Sequence, residues 1–198
     1  MRSRLYENDI SYLEHRGLLR VAGIDEAGRG ALAGPVVVAA VVLDYRHEIA
    51  QLNDSKKISK TLRDKLYMQI TSSALCFSIV EIPATVIDRI NILNATLQGF
   101  REVYLNIQDQ VDACLIDGRD IPKPVPGEAV IKGDSLHACI AAASILAKVH
   151  RDRLMINLDQ EYPEFGFAAH KGYGTTSHYR ALSSFGTCPQ HRTSFRLF

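Results

Sequence analysis

Several things are scarce in this chain of 198 residues, and each scarcity excludes a class of protein. No apolar run approaches the roughly 20 residues that a membrane span requires; the longest, Pro35 to Leu43, suits a buried strand. The opening Met1-Arg2-Ser3-Arg4 has no apolar segment of the signal-peptide kind, so the cytoplasm is the expected compartment and no membrane partner is expected. The four cysteines, Cys76, Cys114, Cys139 and Cys188, form no C-x-x-C pair, which speaks for reduced thiols and against a zinc site or a disulfide framework. A net charge of +1 removes the global basicity of a DNA-coating protein. Local basic stretches remain at Lys56-Lys57, Lys148 to Arg153 and His170-Lys171. Repeats and low-complexity segments are absent.

What is present points to a mixed α/β fold. Leu5 to Arg16 reads as a helix stopped by Gly17. Leu19 to Asp25 and Pro35 to Leu43 read as strands, and the short loop between them leaves no room for a crossover, so they are expected to be antiparallel neighbours. A helix over Ser59 to Ser72 follows from Leu62, Leu66 and Ile70. A third strand runs through Leu75 to Val80, and helix from Ala84 to Gln108, broken near Ile92-Leu93. Ala113 to Asp117 is a short strand, the proline-rich stretch Ile121 to Pro126 should be extended, and Ala129 to Lys132 an edge strand. The longest helix, Ser135 to Leu158, is rich in alanine and should lie close on the sheet. Pro163 ends it, and a last helix is expected near Ser177 to Ser184. This order gives an α/β sandwich on a mixed sheet.

Asp25-Glu26-Ala27-Gly28-Arg29-Gly30 is the segment hardest to explain by folding alone. Two adjacent acids at the end of an apolar strand are costly without a cation between them. The compensator is either a divalent ion or Arg29, while the flanking glycines let a phosphate or sugar approach the backbone. Asp117 has the same position after its own strand, and if the two strands are parallel neighbours their carboxylates meet at one rim. Asp134 precedes the long helix, where an N-cap explains it as well as a metal does. Such a set of hard oxygen ligands suits Mg²⁺ or Mn²⁺, and two ions about 4 Å apart can activate water and stabilise the leaving oxygen of a phosphodiester.

The motifs taken together resemble type 2 ribonuclease H, ribonuclease HII. The resemblance runs through Gly23 to Gly30 and Leu32 to Val37, then Asn53-Asp54-Ser55-Lys56-Lys57, Ile116-Asp117-Gly118 and Lys132-Gly133-Asp134. It continues through Ile140 to Val149, His170 to Thr175 and His191 to Phe195, in the family's order over nearly the whole chain. The absence of a long N-terminal extension separates it from the type 3 relatives. The resemblance implies an RNase H-like fold, with a mixed five-stranded sheet flanked by helices. Residues 1–160 form its catalytic domain and 161–198 a helical extension packed on it. It implies endonucleolytic cleavage of RNA in RNA–DNA hybrids and at single ribonucleotides in duplex DNA, by a monomer.

By motif position, Asp25, Glu26, Asp117 and Asp134 take the catalytic metal site, and Gly28, Arg29 and Gly30 the loop that senses the ribose 2′-hydroxyl. Tyr173 takes the residue that packs on a sugar, and Lys56, Lys57 and Lys171 are candidate phosphate contacts. His137, Cys139, Ala169 and the apolar end Leu197-Phe198 depart from the pattern. The plain expectation is that Phe195 and Phe198 pack back on the protein's own helices; the alternative is a peptide anchor for a sliding clamp. Two other functions compete: another RNase H-like metal-dependent nuclease, which would not need the ribose loop with Tyr173, and a non-catalytic hybrid-binding protein, which would not need four acids.

Overall fold

The computed structural model describes residues 3–197. Helix α1 (Arg4–Arg16) leads into strands β1 (Val21–Ala27) and β2 (Val36–Val42), followed by α2 (Lys60–Ser73) and β3 (Cys76–Ile82). Two helices, α3 (Ala84–Ile90) and α4 (Ile92–Leu105), precede β4 (Ala113–Asp117) and β5 (Gly127–Val130). The chain closes with α5 (Ala138–Glu161), α6 (Phe167–His170) and α7 (Thr176–Phe185).

The five strands form one mixed sheet in the order β3-β2-β1-β4-β5. β1 is antiparallel to β2, as the short intervening loop requires, and parallel to β4. Alternation along each strand separates two cores. On one face Val21, Val37, Ala39 and Leu115 meet α5; on the other Ala22, Ile24, Val38 and Ile116 meet Phe100 and Val103 of α4. The alanine face of α5 packs on β1 as expected. It comes so close that a Cβ on Gly23 would fall 2.0 Å from the backbone carbon of Cys139.

Five local expectations are corrected. β1 starts two residues later than Leu19, which is held outside the sheet by its N–H donating to Asp112 Oδ2 at 2.8 Å, and it continues past Asp25 to Ala27. The α3–α4 break falls on Asn91, whose φ of 66° leaves the helix and whose side chain accepts from the N–H of Asn94 at 3.0 Å. The proline stretch is not extended: Val125 N–H donates to Pro122 O at 2.9 Å across a turn. This turn brings Pro126 O to the N–H of Cys114 and starts β5 at Gly127, two residues before Ala129. The long helix begins at Ala138 rather than Ser135, because Gly133–Ser135 forms a separate 3-10 turn. Asp134 therefore lies in that turn and does not cap α5. All four cysteines are free.

Candidate active site

Strand alternation and register assemble the carboxylates. Asp25 shares the α5 face of β1 with Val21 and Ala27, and Asp117 shares the corresponding face of β4 with Ala113 and Leu115. Ile24 is level with Ile116 in the parallel ladder, so the two aspartates follow side by side at its carboxyl rim. Gly133 N–H donates to Asp117 Oδ1 at 2.7 Å and thereby fastens the 3-10 turn that carries Asp134. Oxygens of Asp25, Asp117 and Asp134 lie within 4.8 Å of one another, with Asp25 and Asp134 buried. Glu26, next along β1, falls outside this set and its Oε1 pairs with Arg29 Nη1 at 3.4 Å.

Burial and mutual repulsion disfavour negative charge on this cluster. Burial, then the charges of Glu26 and Asp117, push the Asp25 carboxyl well above the usual range against hydrogen bonds from Ser144 and the Glu26 N–H. Burial likewise raises Glu26, opposed by Arg29, and raises Asp117, where the Gly133 N–H opposes it and Asp134 adds to it. Lys56 Nζ sits 3.3 Å from Asp134 Oδ2; burial works against its charge, but Asp134 and Asp25 hold the ammonium above its ordinary value. A buried, mutually repelling set of hard oxygen donors is what a divalent cation neutralises, so the residues fit such an ion.

A cleft of about 330 Å³ opens on this rim, lined by Asp25, Glu26, Gly28, Lys56, Lys148 and Tyr173. A larger groove of about 800 Å³ lies beyond the other end of β1, beside Leu13, Leu18 and Leu19, away from the carboxylates. In the cleft Tyr173 is 37% exposed, which leaves its ring available to a ligand. Lys57 turns away to Asp54 at 3.6 Å, and Lys171 donates to the carbonyl of Ala168, so neither lines the cleft.

The glycine loop owes its shape to two arginines that sequence reading missed. Arg151, within a stretch read as basic surface, is fully buried. It donates from Nε to Pro35 O at 2.9 Å, from Nη2 to Ala33 O at 3.1 Å and from Nη1 to Lys171 O at 3.0 Å. Arg192, equally buried, donates from Nε to Gly34 O at 3.0 Å and from Nη1 to Arg29 O at 2.9 Å. Burial depresses both guanidinium groups, that of Arg192 to about 9. Gly28 has φ +98°, and a Cβ there would fall 2.0 Å from Arg151 Nε; around Gly30 the space is open. The only hint in the sequence was that Arg192 lies inside the matched stretch His191 to Phe195; Arg151 falls two residues beyond the matched stretch that ends at Val149.

The departures also find partners. Asp9 is fully buried, accepting from Tyr45 Oη at 2.9 Å and the Cys139 N–H at 2.9 Å, and pairing with His137 Nδ1 at 2.8 Å. Ala169 is exposed on α6. Leu197, 6% exposed, packs with Leu32 and Leu182, in line with self-packing of the tail, and Phe195 packs beside it; Phe198 lies outside the described residues.

Comparison with known proteins agrees with this geometry. The ribonuclease HII family model matches residues 22–198. A ribonuclease HII from Acidovorax sp. (strain JS42) is 51% identical over 196 residues, covering 98% of this chain and 94% of the relative. A solved PCNA:RNase HII complex from Archaeoglobus fulgidus contains a chain that superposes with a TM-score of 0.75 at 25% identity, covering 90% of this chain and 96% of that one. The fold is also that of the ribonuclease H2 from Pyrococcus horikoshii OT3, with a TM-score of 0.73 at 24% identity over 90% of this chain and 95% of that one. A family match over nearly the whole length, with the acidic rim in place, means that the chain belongs to the ribonuclease HII family.

Proposed function

We propose that Asp25, Asp117 and Asp134, with Glu26 beside them, carry out the family's reaction, metal-dependent endonucleolytic cleavage of the RNA strand of RNA–DNA hybrids. The observation that carries this assignment is the triad of carboxylates, with oxygens within 4.8 Å of one another, whose Asp25 lines the cleft. Mn²⁺ or Mg²⁺, as two ions during turnover, would supply a water of lowered pKa and offset charge on the leaving oxygen. Asp25, Asp117 and Asp134, with Glu26 at the same rim, would hold the cation, and Lys56 sets a positive charge beside Asp134. Open space at Gly30 lets a ribose approach the backbone, so the 2′-hydroxyl is sensed by Gly28, Arg29 and Gly30 while a separate water attacks. Tyr173 offers its ring to a neighbouring sugar. Lys56 and Lys148 line the cleft, paired with Asp134 and Asp152, and are placed to meet a phosphate there; Lys57 and Lys171 do not line it and would have to leave their partners and move to reach one. Residues 1–160 supply the carboxylates, and the extension 161–198 supplies Tyr173.

The substrate includes single ribonucleotides in duplex DNA, cut on their 5′ side by a monomer in the cytoplasm. Incubating the protein with a duplex holding one ribonucleotide, with and without Mg²⁺ or Mn²⁺, tests this. The expected ends are 3′-hydroxyl and 5′-phosphate. Cleavage that survives EDTA, or 2′,3′-cyclic ends, would overturn the mechanism.

A sliding clamp reached through Leu197-Phe198 is a further partner in this reading. Its support is the Archaeoglobus relative's complex with PCNA, and docking there requires Leu197 to leave Leu32 and Leu182. Failure of the full chain to bind a bacterial clamp would remove this partner.

A further inference from the structure

Behind Tyr173 lies a hydrogen-bonded chain whose proton positions are fixed by geometry. The N–H of Cys188 donates to His191 Nδ1 at 2.9 Å, so that nitrogen carries no proton and the proton of His191 is on Nε2. His191 Nε2 lies 3.0 Å from His178 Nε2, which must therefore accept. The proton of His178 is then on Nδ1, where it donates to the carbonyl of Tyr173 at 3.0 Å. A second proton on either ring would set two donors face to face or break the Cys188 contact. Both rings are buried, 0% and 2% exposed, and the edges and faces of Phe165 and Phe167 surround them, so no water competes for these nitrogens. His170 stacks on His178 at 4.4 Å and is engaged separately, with Nε2 donating to Phe165 O at 2.8 Å.

The two ends of the chain matter more than its middle. One end is the backbone of Tyr173, whose ring lines the cleft together with Gly28. The other is His191, which immediately precedes Arg192, the residue that holds the carbonyls of Arg29 and Gly34. The tail thus grips both substrate-facing pieces from adjacent positions. We infer that His191 and His178 act as a neutral two-imidazole relay that positions Tyr173 relative to the glycine loop. They are positioning residues, since neither lines the cleft. The inference rests on the sugar-packing role proposed for Tyr173.

The test is a double-mutant cycle on single-turnover cleavage at a lone ribonucleotide. His178→Ala should lower kcat/KM by about tenfold, the upper range for one hydrogen bond. In a Tyr173→Ala background the same change should cost less than about twofold, because the residue it acts through is gone. His178→Asn, whose amide N–H takes the place of Nδ1–H, should restore most of the loss. Equal penalties in both backgrounds, or no penalty in the parent, would overturn the relay while leaving the role of Tyr173 intact. If Tyr173→Ala itself leaves cleavage unchanged, both ideas fall. Should His178→Ala not fold, long-range ¹H–¹⁵N spectra of the unaltered protein decide the geometry. His178 should be protonated at Nδ1 alone and His191 at Nε2 alone at neutral pH; any other tautomer, or an imidazolium, refutes the relay.

Discussion

Asp25→Asn should make the metal-free protein more stable and the enzyme nearly inert. Asparagine keeps an oxygen for the Glu26 N–H, which Asp25 accepts at 2.7 Å, and removes one negative charge from a site 4% exposed to solvent. The triad's oxygens lie within 4.8 Å of one another, and at that distance two full charges repel by about 3.5 kcal/mol at an effective dielectric of about 20. Burial, with the neighbouring carboxylates, raises Asp25 and Asp117, and any proton the cluster takes up offsets part of this repulsion. Roughly 1–2 kcal/mol remains to be gained, a rise in Tm of about 2–8 °C for a domain of this size. The sign with pH follows. A carboxylate raised in the folded state stabilises the protein below its unfolded pKa, and that contribution is lost as pH rises through the folded value. The parent's metal-free stability should therefore decline with rising pH more steeply than the variant's. Saturating Mn²⁺ should reverse the order, because the parent keeps a charged ligand that the variant lacks. Cleavage should fall by about 10²–10³ or more. Calorimetry in EDTA and in Mn²⁺, paired with a cleavage assay, measures all of this. A variant that melts below the parent in EDTA, or gains as much from metal, refutes the electrostatic account.

Other perturbations separate fold from function. Gly28→Ala should destabilise by about 2 kcal/mol or more through positive φ and collision with Arg151, whereas Gly30→Val should leave urea stability within about 0.5 kcal/mol and still weaken cleavage at a lone ribonucleotide. Arg151→Met should cost about 3–5 kcal/mol by urea titration, since three carbonyls lose their donor. Burial, against the Tyr173 carbonyl, depresses His178 to about 4, so its contribution is present above its unfolded value near 6.5 and lost as pH falls toward 4. That contribution is at most about 3 kcal/mol and opposes the carboxylates, so the slope should be read against His178→Asn; equal acid slopes in the two proteins would rule it out.

The sequence made the acidic rim legible because its logic is local. A short glycine loop forces β1 and β2 antiparallel, and alternation then decides which acid faces α5. Adjacency in sequence does not show that Asp25 joins the triad while Glu26, in the same cleft, pairs with Arg29. Asp134 was harder to place, since a 3-10 turn and a helix cap look alike in Lys132-Gly133-Asp134-Ser135. Arg151, Arg192 and Asp9 were not legible. A charged residue in a sequence reads as surface, and what buries these three is a carbonyl, ring or helix end more than a hundred positions away. Lys148 was visible as a charge, but only the packing of α5 against the loop after β1 brings it to the cleft.

The span between the glycine loop and its fastener has a consequence for synthesis. Arg192 holds the carbonyl of Arg29 across 163 positions of chain. Domains generally fold as units, and their amino-terminal parts emerge first. All three aspartates of the triad are made well before Arg192. A nascent chain at that stage has its acids and lacks the side chain that holds the glycine loop. The loop's final shape is therefore a late event in the protein's own manufacture, and on the proposed role of that loop so is selective cutting.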